Sequence, residues 1–306
     1  MPTPIELPAP DGYLLRGYAW RHAAPHDPAR PLVIVNAATS VRCAYYARFA
    51  AFLHRHGFDV LTYDYRGIGV SRPPRLRGFD AGWLDWGQLD FEAALQHAAR
   101  VHPGQPVLVV GHSVGGLLIG LAPSNHRIAR VFTVGAQFAY WRDYLRRRRL
   151  GMLLKWHLAM PLLTRLFGYC PARRLGWMED TPRGVVRDWT QRVARFEDTF
   201  RRGSRALDEG QRLALLERFA AMRAPTLALS LDDDEFGTVP AVRRLLRHYG
   251  SSPATHLHVP PAAIGVERIG HFAFFHDRFE AALWPIPLEW LRSGRLAEDA
   301  RRFVLP

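Results

Sequence analysis

The sequence predicts an α/β fold, with a mostly parallel sheet flanked by helices and a block of helices inserted between two strands. Three observations carry this expectation. Short runs of branched apolar residues, the mark of strands covered on both faces, alternate with stretches of helical apolar spacing. One such run, residues 107–110, passes through Gly111-His112-Ser113-Val114-Gly115 into an apolar helix. From residue 135 to about residue 222 the branched runs vanish and helical spacing dominates.

The chain has 306 residues, 48% of them hydrophobic, enough for one sizeable core plus an insertion. Aromatic residues at 12%, including nine tryptophans, exclude a disordered chain. The formal net charge is +13, and Lys155 is the only lysine among the 41 basic residues. Compositional bias accounts for arginine over lysine but not for the excess of bases over acids, so an electrostatic pull on anions is expected. Cys43 and Cys170 lie far apart without metal-ligand spacing, which argues against a disulfide framework and for a reducing, cytoplasmic setting. No secretory signal pattern opens the chain, and no apolar run reaches the length of a membrane span.

In order, residues 5–8 and 12–20 read as two opening strands around an Ala9-Pro10-Asp11-Gly12 turn. Residues 21–30, with His22 and His26, read as a solvated surface loop rather than a metal site. Residues 31–36 form a buried strand, followed by Ala37-Ala38-Thr39-Ser40 and a helix near residues 41–56. Residues 59–64 form the next strand. The loop Asp64-Tyr65-Arg66-Gly67-Ile68-Gly69-Val70-Ser71 follows, its glycines suited to tight turns and Asp64 and Arg66 to local hydrogen bonds. Residues 83–101 carry helical spacing, with Asp85, Asp90 and Glu92 near the start, where acids suit the helix dipole.

Residues 107–110 and the helix after them frame Ser113. The flanking glycines allow a sharp turn, and the helix start offers unpaired N–H groups and positive potential, suited to a developing oxyanion. A strand at residues 131–134 follows. Residues 136–222 hold 18 basic and nine acidic side chains, so +9 of the charge resides there. Within them an apolar stretch at residues 150–163 is interrupted by Lys155, His157 and Pro161, with Arg146 to Arg149 in front. Residues 225–231 restore the sheet, ending in Asp232-Asp233-Asp234-Glu235-Phe236-Gly237. A helix near residues 240–248, a last strand at residues 254–259, the loop Ile269-Gly270-His271-Phe272 and a closing helix that includes residues 288–291 complete the chain.

A serine hydroxyl needs a base within hydrogen-bond reach, and the base needs a carboxylate to orient it. The Gly-x-Ser-x-Gly elbow and the Asp64–Ser71 loop resemble those of the α/β-hydrolase superfamily, in particular its bacterial serine-aminopeptidase and lysophospholipase-like branch. That resemblance implies an α/β-hydrolase core at residues 1–135 and 223–306 with a helical cap, or lid, at residues 136–222. It implies the order serine, acid, histidine: Ser113 as nucleophile, Asp234 as acid with Asp233 as rival, and His271 as base. His276 is expected in the following helix, His256 and His258 on one face of a strand, and His112 packed beside the serine. Backbone N–H groups of Ala38, with Ala37 competing, and of Val114 are expected in the oxyanion hole. Asn36-Ala37 stands where the superfamily often has His-Gly, which a main-chain donor tolerates.

The function these features imply is hydrolysis of a carboxylic ester or thioester, a small-molecule acyl substrate, without a cofactor or metal. An acyltransferase or aminopeptidase-like hydrolase on the same three residues, or a non-catalytic ligand-binding protein, are the alternatives. The peptidase reading lacks an evident acid in the basic cap to hold an amine. No nucleic-acid motif stands behind the arginines, whereas the basic cap suits contact with a membrane surface. Nothing in the sequence sets the oligomeric state.

Overall fold

The computed structural model describes residues 2–23, 27–191, 193–203 and 205–306. Strands run at β1 (Thr3–Pro8), β2 (Leu14–Trp20), β3 (Leu32–Asn36), β4 (Asp59–Tyr63), β5 (Val107–His112) and β6 (Ile128–Val134). A short pair follows, β7 (Tyr169–Cys170) and β8 (Thr181–Pro182), then β9 (Thr226–Leu231) and β10 (Ala254–Val259). Eight of these form one sheet in the order β1-β2-β4-β3-β5-β6-β9-β10. The pairings β1·β2 and β2·β4 are antiparallel, and every other pairing in that sheet is parallel. The expected mostly parallel sheet flanked by helices is therefore the observed one. Strands β3, β4 and β9 are buried at every residue, which is why apolar residues stand at consecutive positions in them rather than strictly alternating with polar ones.

The turn between β5 and its helix is held by close backbone approach. A Cβ on Gly115 would lie 2.3 Å from the carbonyl oxygen of Asn36, at the end of β3. Helix α1 (Ala47–Arg55) follows a short turn at Cys43–Tyr46, where one helix over residues 41–56 was expected. The stretch 83–101 is helical but contains a π turn at Trp86–Phe91. Asp85 accepts from the Gly82 N–H at 2.7 Å and so serves the helix start as expected. Asp90 does not: it is fully buried and takes the Arg66 side chain at 2.6 Å and the Arg66 N–H at 2.8 Å. Arg66 also reaches Asp11, and Asp64 accepts from the N–H groups of Cys43 and Val70, so this loop does the structural work its residues suggest.

Two histidines differ from expectation. His22 is half-buried, its ring stacked on His54 at 4.1 Å between centroids, because the loop folds back onto α1. His276 joins two 3₁₀ turns, Ala273–Phe275 and Asp277–Phe279, and meets the Tyr45 hydroxyl at 2.9 Å, so it is not in a helix. His26 lies outside the described residues. His256 and His258 do share a face, each 2.9 Å from the Ser230 hydroxyl.

Between β6 and β9 the chain is mostly helical. The apolar stretch at residues 150–163 lies in one continuous helix over residues 149–167: Arg149–Leu154, a π turn at Lys155–Ala159, and Met160–Phe167. Proline lacks an N–H and its ring crowds the carbonyl four residues back, and the wider π turn just before Pro161 absorbs both defects. Met152, Trp156, Met160 and Thr164 face inward. A later helix, Glu209–Ala221, packs Phe219 against Gly120 of the helix that follows β5 and so flanks the sheet. No helix among the described residues is long and apolar enough to cross a membrane.

Candidate active site

Ser113 sits at the C-terminal end of β5, immediately before helix Val114–Leu121, with φ 54° and ψ −123°. A non-glycine residue holds such a backbone only under constraint. Here the constraint is a hydrogen bond from Ser113 N–H to the Val134 carbonyl at 2.9 Å and the glycine-lined turn around it. The residue is buried but lines a cavity of about 100 Å³ at the C-terminal edge of the sheet, where open parallel sheets bind ligands. Val114, Ala38, His271 and a ring of aromatic residues line the same cavity.

His271 and Asp234 come together although 37 positions apart: Nδ1 donates to Asp234 Oδ2 at 2.7 Å. The other carboxylate oxygen accepts from the N–H groups of Phe236 and Gly237, both at 2.8 Å. Burial pushes the Asp234 carboxyl upward. The neighbouring imidazole and these donors outweigh it and hold the group below its ordinary value. Gly237 is required by packing, because a Cβ there would lie 2.6 Å from Asp234 Oδ2 and 2.4 Å from the Gly135 Cα. Asp233, the rival, points elsewhere. Its Oδ2 accepts from the N–H groups of Ile269 and Gly270 at 2.8 and 2.9 Å, fixing the loop that presents His271.

Among the described residues Ser113 and His271 are not hydrogen-bonded to each other. Instead Gln137 Nε2 donates to Ser113 Oγ at 3.3 Å. The orientation of the Gln137 amide follows from its other end, where Oε1 accepts from the Ala139 N–H. Nothing in the sequence pointed to Gln137, which follows β6 in an irregular turn where Ala139 has φ 60°.

The expected oxyanion donors differ from each other. Val114 N–H opens the helix beside the serine and lines the cavity. Ala38 N–H is not free: it donates to the Tyr46 hydroxyl at 2.8 Å. The cause is a buried relay. His112 is fully buried, and desolvation together with the nearby His271 lowers its pKa to about 3, so its ring is neutral. Its Nε2 meets the His271 carbonyl at 2.9 Å and must carry the proton. Nδ1 is then an acceptor, Tyr46 donates to it at 2.7 Å, and the tyrosine oxygen is left to accept from Ala38. An oxyanion must share the Ala38 hydrogen with Tyr46 or displace it.

Sequence comparison bears on the lineage of this arrangement. A family model described as serine aminopeptidase, S33, matches residues 27–263. The chain belongs to the serine aminopeptidase S33 family. No curated protein matches this S33 member in sequence. Solved structures with the same fold include three enzymes. The Pyrococcus furiosus esterase Pf2001 aligns at TM-score 0.57 and 14% identity over 95% of this chain and 92% of its own. An esterase domain from a Rhodothermus marinus protein aligns at 0.55 and 17% over 95% and 98%. The Paleococcus ferrophilus monoacylglycerol lipase aligns at 0.54 and 15% over 92% and 99%. At such identities these likenesses establish the α/β-hydrolase fold of the S33 chain.

Proposed function

We propose that this S33 member is a serine hydrolase that cleaves a carboxylic ester or thioester through an acyl-enzyme on Ser113. The observation that carries the reading is the buried Asp234–His271 pair at 2.7 Å on the cavity lined by Ser113. With Nδ1–H committed to Asp234, His271 Nε2 is the basic nitrogen. Substrate binding brings Ser113 Oγ onto His271, which takes its proton as Oγ attacks the carbonyl. Val114 N–H receives the oxyanion, joined by Ala38 N–H as it shares its hydrogen with Tyr46. His271 returns the proton to the leaving group, and water completes the cycle. Residues from the 136–222 insertion, Trp156, Trp177 and Trp189 among them, wall the cavity and act as its cap. The free, buried cysteines suit a cytoplasmic setting.

The experiment is hydrolysis of short 4-nitrophenyl esters and acyl thioesters by wild type and Ser113→Ala, with and without added alcohol. The reading expects wild-type release of free acid and at least about a thousandfold loss in Ser113→Ala. Ester formation with the alcohol in preference to acid would move the protein to acyl transfer, and equal rates in the two proteins would remove Ser113 as nucleophile.

We also propose that the insertion meets an anionic lipid surface. Leu150, Leu154, Leu158, Leu162 and Leu166 recur every fourth residue and are 50–72% exposed, on the face opposite Trp156. In a pure α-helix that spacing would wind around the axis, and the wider π turn at Lys155–Ala159 draws it back into a stripe. Exposed Arg146, Arg147 and Arg148 flank one end, and Arg165, Arg173 and Arg174 the other. An apolar stripe between cationic ends is complementary to an anionic membrane surface.

A further inference from the structure

Four tryptophans and two phenylalanines line the cavity beside Ser113, and among its other lining groups is Lys155, the sole lysine of the chain. Its ammonium lies over two indoles, 4.3 Å from the Trp156 ring centroid and 4.8 Å from that of Trp177. Both rings are themselves edge-on at 5.5 Å, so they form a corner around the charge. Cation–π attraction partly offsets the lost hydration of an ammonium but supplies no hydrogen-bond acceptor. Among the described residues Lys155 has neither a carboxylate within ion-pair distance nor a hydrogen-bond acceptor. Glu235, on the cavity wall, is near enough to favour the charge without pairing with it. Lys155 is half-buried, and desolvation in this corner lowers its pKa from the ordinary value.

The surroundings sharpen the point. The other forty basic residues are arginines, and arginine is the residue for fixed, bidentate partners. Lysine offers instead a compact charge with three rotatable donors on a flexible stem, suited to a ligand that comes and goes.

We infer that Lys155 is an anion-recognition residue of the substrate cavity, and that the substrate acylating Ser113 carries a carboxylate or similar monoanion seated in the Trp156–Trp177 corner. The inference rests on the hydrolase reading above and names its substrate class. The indoles hold the apolar part of the substrate, and Lys155 receives the anion that their faces cannot. The anion belongs either to the acyl part or to the leaving group, and the shared chemistry is a carboxylate held off the scissile carbonyl.

The test measures kcat/KM for three esters: 4-nitrophenyl butyrate, the 4-nitrophenyl monoester of glutarate, and the butyrate ester of 4-hydroxybenzoate. These are neutral, anionic on the acyl side, and anionic on the leaving-group side. Wild type should favour one anionic ester over its neutral counterpart. Lys155→Gln should reduce that ratio at least about tenfold, the scale of a charge-assisted hydrogen bond, and Lys155→Arg should restore much of it. A ratio unchanged in Lys155→Gln overturns the inference, as does loss of the ratio equally in the glutamine and arginine variants. Binding of monomethyl glutarate, 4-butyryloxybenzoate and methyl butanoate to Ser113→Ala, by calorimetry, decides the same question without turnover. Tighter binding of one anion that disappears when Lys155→Gln is added supports the inference, and equal binding of all three ligands overturns it. Absence of hydrolysis of all three esters by wild type would defeat the hydrolase reading while leaving the binding comparison to judge Lys155.

Discussion

Asp233 and Asp234 carry the same carboxyl and meet different partners. Asp234 holds the His271 ring, whereas Asp233 holds the backbone of Ile269 and Gly270. Asp234→Asn should therefore cost about three to four orders of magnitude in kcat/KM, since an amide cannot stabilise the imidazolium and favours the wrong tautomer. Asp233→Asn, which keeps an acceptor oxygen for the loop, should cost no more than about a hundredfold. Comparing the two variants on 4-nitrophenyl butyrate checks this, and the reverse order would make Asp233 the acid. Stability carries a matching sign. The folded pKa of Asp234 lies below its unfolded value, so its contribution is complete above the ordinary carboxylate range near pH ~4 and is lost as pH falls through the folded value. Urea midpoints should thus fall more steeply in acid for wild type than for Asp234→Asn. Tyr46→Phe should lower stability by about 1–3 kcal/mol, because it strands His112 Nδ1 and the Ala38 N–H in a buried place.

Among the elements, the helix at residues 149–167 presents the clearest division of faces: Met152, Trp156 and Met160 inward, five leucines outward. Replacing Leu154 and Leu158 with glutamate should leave the fold in place, since both are about half exposed, and abolish sedimentation with phosphatidylglycerol vesicles. Wild type should bind these vesicles less as salt rises and should ignore neutral phosphatidylcholine. Salt-independent or equal binding by the variant would leave the leucines without a lipid role. That helix also marks a limit of sequence reading. Its apolar spacing was legible, but its π turn was not, because nothing local announces one. The strands were legible because burial on both faces leaves continuous branched runs. The sharp turn at Ser113 was legible from the glycines around it, whereas the order serine, acid, histidine came from the family resemblance and not from any local pattern. Tyr46, Gln137 and the true partner of Asp90 were not legible, because each acts across a gap in sequence that periodicity does not span.

Over the whole molecule, residues distant in sequence converge at one edge of the sheet. β3 delivers Ala38, β5 delivers Ser113, β9 delivers Asp234, and the loop after β10 delivers His271. Residues between β6 and β9 hold to earlier parts of the chain near that edge: Asp188 accepts from the Trp83 N–H at 2.8 Å, and Arg72 pairs with Asp180 at 2.9 Å. The formal charge of +13 acts at the same scale, drawing anions over a distance that salt shortens to about 8 Å at physiological ionic strength. The claim on which all of this depends is that Ser113 is a nucleophile activated by His271. Its most direct test is reaction with a fluorophosphonate followed by peptide mapping by mass spectrometry. The account predicts one adduct, on Ser113, absent in Ser113→Ala and formed at least about a thousandfold more slowly in His271→Ala. An unlabelled wild type, or labelling that persists at the same rate in Ser113→Ala, would contradict it.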